Sequence, residues 1–173
     1  MNERPTVVDA VPRTRPVEDG PERETMTGLL DFLRSTVVNK VAGLTDEQAF
    51  EAVLPPSTLT LAGLVKHLAA VERWWFTIDF AGLDAPWPWP EDDPHGCFPI
   101  LPGDTLDGIV ADYLAECERS RQSIAGASLD DMAKGEGMHF NLRYALAHMV
   151  EETARHCGHL DLLRERIDGQ TGE

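Results

Sequence analysis

Four stretches of this 173-residue chain repeat apolar side chains at three- and four-residue intervals, and no stretch carries a convincing strand alternation. In the first, residues 24–43, the series is Met26, Leu29, Leu30, Leu33, Val37 and Val41, with Leu44 just beyond. "TDEQ" at 45–48 has the form of a capping box opening a short helix, and "LPPST" ends it, with Ser57 or Thr58 as the next cap. The second stretch, 58–80, turns Leu61, Leu64, Leu68, Val71, Trp75 and Ile78 inward and is closed by Gly82. The third, 105–125, holds Leu106, Ile109, Val110, Tyr113, Leu114 and Cys117 in register. The fourth begins at Asn141, a good cap, runs to 167 with Gly169 as its stop, and buries Leu142, Ala145, Met149, Leu160, Leu163 and Ile167. The pattern predicts an all-α protein, an antiparallel four-helix bundle with two long connections.

The connections are distinctive. Residues 83–103 contain six prolines, which forbid a helix, together with Trp87, Trp89 and Phe98, which a solvated linker rarely keeps. The other long connection is 126–140. Pro5, Pro12, Pro16 and Pro21 mark residues 1–21 as an extended or disordered arm, ordered only if it drapes over the bundle, which takes up residues 22–173. Asp and Glu number 30 against 15 Lys and Arg, and the net charge of −15 repels nucleic acid and anionic lipid alike. No apolar run reaches the length of a bilayer span or a signal peptide. Cys97, Cys117 and Cys157 form no paired spacing and read as reduced thiols, so a soluble, cytoplasmic protein is expected.

The chemistry concentrates in "HMVEETARHCGH", residues 148–159. At 100° per residue, Glu152 and His156 fall within the apolar stripe of the fourth helix, one turn apart, while Glu151 and Arg155 share another face as an i, i+4 pair. A buried carboxylate needs a compensating charge, and no Lys or Arg shares that stripe. His67 faces inward from the second helix, one turn from Leu64 and from Val71. Two imidazoles and one carboxylate from two helices can hold one divalent cation such as zinc, iron, nickel or manganese, with coordination left open. Spacing alone equally allows a hydrogen-bonded core histidine and a surface ion pair.

Around this set, His148 and His159 are candidate substrate contacts, His159 also reading as a surface histidine. Trp75 can wall a pocket, and Trp87 with Trp89 can form a lid. Arg143 and Arg155 can meet a carboxylate of a substrate. Cys157 reads as packing, and Gly158 as a point of close approach by a helix or substrate. Nothing recommends His95 or His139.

The segments "PPSTLTLAGLVKHL", "LAGLVKHLAAVERWWF" and "LRYALAHMVEETARHCGHLDLLRERIDGQTG" resemble the DinB/YfiT-like superfamily of metalloenzymes, with its mycothiol-dependent members as the nearest branch. The resemblance implies a four-helix bundle with a divalent metal, zinc foremost, between its second and fourth long helices. Many members use three histidines, whereas the mycothiol-dependent maleylpyruvate isomerases use His, Glu and His, the pattern matched here by His67, Glu152 and His156. It further implies mycothiol or a similar small thiol as cosubstrate, presented as a thiolate to a small-molecule electrophile, and a homodimer is compatible with it. The chain does not include the extra C-terminal domain of those isomerases, so their substrate is not expected of it. A non-catalytic ligand-binding or sensing bundle and a metal-dependent hydrolase are the alternatives.

Overall fold

A computed structural model describes residues 8–89 and 99–172; Pro5, His95, Cys97 and Phe98 lie outside them. Five α-helices follow in order: α1 Glu22–Val41, α2 Asp46–Phe50, α3 Leu61–Glu72, α4 Leu106–Ile124 and α5 Leu142–Asp168. Among the described residues there is no strand, only an isolated bridge between Met132 and Asn141. No helix among them is long and apolar enough to cross a membrane.

Local chemistry sets most boundaries. Thr45 accepts from Gln48 N while the Gln48 side chain returns to the Thr45 backbone, so the box expected at "TDEQ" opens α2. Asn141 caps α5 through Tyr144 N, and Gly169 stops it with φ +79°. The cap of α3 is Thr60, which accepts from Gly63 N, so that helix starts later than Ser57 or Thr58 would have it. The two prolines ahead of Ser57 belong instead to an irregular segment leading to the cap.

The second helix also changes character where no proline or glycine announces it. From Arg73 to Phe80 the backbone is π-helical, carrying on directly from α3. Its i→i+5 turns are wider than α turns and shift the phase of the side chains. Phe76 and Phe80 therefore fill the core, and the Trp75 and Ile78 expected there are only half-buried. Leu114 on α4 departs likewise from its expected inward place and is 44% exposed.

α1 packs on α5, α3 packs on α4, and α3 meets α5 across the bundle. The core forms two clusters. One gathers Val37, Leu44, Leu61, Leu68, Tyr113 and Leu160; the other gathers Leu30, Phe76, Phe80, Trp89, Leu146 and Met149. Between α1 and α3 the Arg34 guanidinium grips Glu72 with both ends, 2.7 Å from Oε1 and 2.6 Å from Oε2, each side chain being almost fully buried. Such a fork satisfies both groups where an unpaired charge would cost several kcal/mol.

The described part of the N-terminal arm lies along α1. Val8 enters the first cluster, Asn39 bonds both the N–H and the carbonyl of Val11, and Arg13 and Arg15 sit over the Phe32 ring.

Candidate metal centre

α3 and α5 bring their polar positions together at midheight. His67 Nε2 lies 3.2 Å from Glu152 Oε1, and His156 Nε2 lies 3.0 Å from the same oxygen. The two imidazole rings are 4.7 Å apart, nearly edge to face. Side-chain exposure is 15% for each histidine and 19% for Glu152, so the trio is recessed yet reachable. Hydrogen bonds with His156 and then His67 hold the Glu152 carboxyl far below the usual carboxylate range, against the upward push of burial.

The donor set suits a divalent cation. One ligand atom from each of His67, Glu152 and His156 lies within 4.8 Å of the others. Nitrogen and oxygen ligands about 2.0–2.2 Å from one ion sit roughly 3.0–3.6 Å from each other, and the two short contacts here fall in that range. Both rings turn the same nitrogen, Nε2, toward one carboxylate oxygen. Three protein ligands leave zinc one position short of four, which is where a substrate atom coordinates in catalytic sites. His159 Nδ1 stands 3.2 Å from His156 Nδ1 and braces that ring from the side away from Glu152. Burial, with His156 and Arg155 nearby, lowers the His159 pKa below its ordinary value.

The trio opens on a cavity of about 790 Å³. Phe50, Leu59 and Leu64 give it apolar wall, while Thr58, Arg155 and His159 give it polar wall. Pro99 and Ile100, at the end of the proline-rich connection, close one side. They are tied to α3 by Lys66, whose Nζ donates to Pro99 O at 3.2 Å and to Asp104 Oδ2 at 2.8 Å. Arg155 faces this cavity, and among the described residues it forms no ion pair with Glu151.

The other sequence candidates lie elsewhere. The Trp75 and His148 rings meet at 4.2 Å, tilted by 34°, beside Tyr144 and away from the trio's cavity; Trp75 is two turns from His67 and His148 one turn from Glu152. Trp87 is 58% exposed and rests against Trp74 and Trp89. Trp89 packs edge-on against Trp74, so these tryptophans cover the second core cluster and do not line the trio's cavity. Arg143 is held by Glu22 at 2.8 Å and by Asp130 at 2.5 Å, outside the cavity. Cys157 is buried behind the trio, where desolvation and the nearby Asp161 push its thiol up to about 12. Gly158 meets no close neighbour, since a Cβ there would find nothing within 4 Å. The cavity walls from 50, 58–59 and 99–100 escaped the sequence reading: connections lack a period to betray which way they face.

No curated protein matches the chain. The family model described as Mycothiol-S-transferase matches residues 25–169, from the first turn of α1 to the glycine that ends α5. The chain belongs to the mycothiol S-transferase family.

Proposed function

We propose that the protein transfers mycothiol to an electrophilic small molecule with the help of a divalent cation held by His67, Glu152 and His156. The observation that carries the reading is the convergence of two imidazole nitrogens on one recessed carboxylate oxygen at the floor of a cavity. A divalent cation bound there supplies the positive charge that keeps a thiol ionised at neutral pH.

The two thiols among the described residues support an outside sulfur as nucleophile. Cys117 and Cys157 are both buried, and burial raises both thiols well above the ordinary value, so neither offers a thiolate. A cavity of about 790 Å³ is of the size that holds a small-molecule ligand. Phe50, Leu59 and Leu64 exclude water around the reacting sulfur, and Arg155 presents a cationic group to the electrophile. In the overall step the thiol gives up its proton, its sulfur forms the new S–C bond, and a displaced group leaves with its electron pair. The bundle, residues 22–173, is the unit that does this.

The test is turnover of the metal-loaded full chain with mycothiol and monochlorobimane. Conjugate formation well above the metal-free control is expected. No conjugate above that control would sink the reading, and hydrolysis of an ester panel in its place would make the protein a hydrolase.

A further inference from the structure

Three carboxylic side chains among the described residues are more than nine-tenths buried: Glu72, Glu116 and Asp79. Two are neutralised from within. Glu72 is gripped by Arg34, and Glu116 Oε1 accepts from Arg73 and from Arg119. Asp79, 7% exposed, has no ion pair and no side-chain hydrogen bond among the described residues. Burial accordingly pushes its carboxyl above the ordinary value.

Asp79 lies on a cavity of about 650 Å³ whose wall is mainly aromatic and sulfur-bearing, with Trp74, Trp75, Phe140, Tyr144, Met132 and Met138. Among the described residues no Lys or Arg lines it, and His139 and Asn141 are its other polar wall. The Trp75 and Phe140 rings are 5.1 Å apart and tilted by 54°, and Tyr144 stands 6.2 Å from Trp75 at 40°, so the three faces form a cup instead of a flat stack. The cup is firmly built. The loop that carries Phe140 is pinned to the end of the π-helical turn by Lys134 N to Phe80 O at 2.9 Å and Gly135 N to Asp79 O at 2.8 Å. Gly135 is required there, because a Cβ would stand 2.7 Å from Asp79 O.

We propose that this cup binds a small organic ammonium cation, alkylated or quaternary, with Asp79 as its counter-ion. Aromatic faces attract such cations through their quadrupole and cover their alkyl groups, which a bare metal ion lacks. One carboxylate, with the Asn141 side-chain oxygen already taken by Tyr144 N, is a poor cage for calcium or magnesium. The net charge of −15 draws cations toward the molecule as a whole. The site is separate from the His67, Glu152 and His156 trio, so it stands or falls independently of sulfur transfer.

The experiment titrates the metal-loaded full chain with choline and, in parallel, with 3,3-dimethylbutan-1-ol, its uncharged isostere, following tryptophan indole N–H signals by NMR. Saturable binding of choline, at least about tenfold tighter than the isostere, is expected. Asp79→Asn should weaken choline binding about tenfold or more while metal content and sulfur transfer stay unchanged. Tyr144→Ala, at a position 57% exposed and so without consequence for folding, should weaken it several-fold. Equal affinity for the two probes, no saturation by tens of millimolar choline, or an unchanged Asp79→Asn would each overturn the proposal. So would a solution dimer that Tyr144→Glu splits, since a second copy would then be what covers this face.

Discussion

Glu152 and Asp79 are both recessed carboxylates, one at midheight on α5 and one at the end of the π-helical turn, and they have opposite electrostatic fates. Glu152 is met by two imidazoles at 3.0 and 3.2 Å and its pKa falls; Asp79 meets no charged partner among the described residues and its pKa rises. Burial alone therefore does not say what a carboxylate is for. What matters is whether the fold itself brings a partner, as at Glu152 and at the Arg34–Glu72 fork, or leaves the charge to be met from outside.

The contrast can be broken at several points. Glu152→Gln keeps the shape but removes the charge that two imidazoles share; metal content, read by elemental analysis, should fall to background and conjugation to the metal-free level. Retained metal and turnover would strip Glu152 of its distinction. Arg34→Met leaves Glu72 buried without its fork and should cost about 3–5 kcal/mol in denaturant unfolding. A loss under about 1 kcal/mol would mean that an internal partner matters little here.

Asp79→Asn should do the reverse. Removing an uncompensated buried charge should stabilise the protein by about 1 kcal/mol at neutral pH in buffer free of organic amines. Because the folded-state pKa of Asp79 is raised, the wild-type carboxyl contributes most at low pH and its contribution is lost as pH rises through that raised value. The advantage of the variant should therefore grow from acid to neutral pH, and a gain that shrinks as pH rises would contradict the burial of an unpaired acid. The smallest effect concerns the helix that carries Glu152. Gly158 sits inside α5 with open space around it, so Gly158→Ala should raise stability by about 0.5–1 kcal/mol with turnover unchanged. A marked loss of turnover would show that substrate approaches the backbone there.

Much of this was legible in the order of residues. The inward phase of His67 and the one-turn spacing of Glu152 and His156 are properties of single helices, and the side-chain period of an α-helix reveals them directly. The caps at Thr45 and Asn141 are equally local. Spacing alone left an ordinary ion pair open for the trio, and only the family resemblance implied a metal there. Trp75 was less legible: a π-helical turn without proline or glycine moved it out of phase and set it beside Phe140, outside the trio's cavity.

By itself, then, the sequence determined the helices, their apolar faces and the three side chains able to meet, because each of these depends on neighbours only a few residues away. Tertiary structure alone decided that Arg34 finds Glu72, that Asp79 finds no charged partner among the described residues, and that chain from 50, 58–59 and 99–100 walls the trio's cavity. Those outcomes depend on how helices cross and where connections come to rest, and such distances have no periodic signature in the chain.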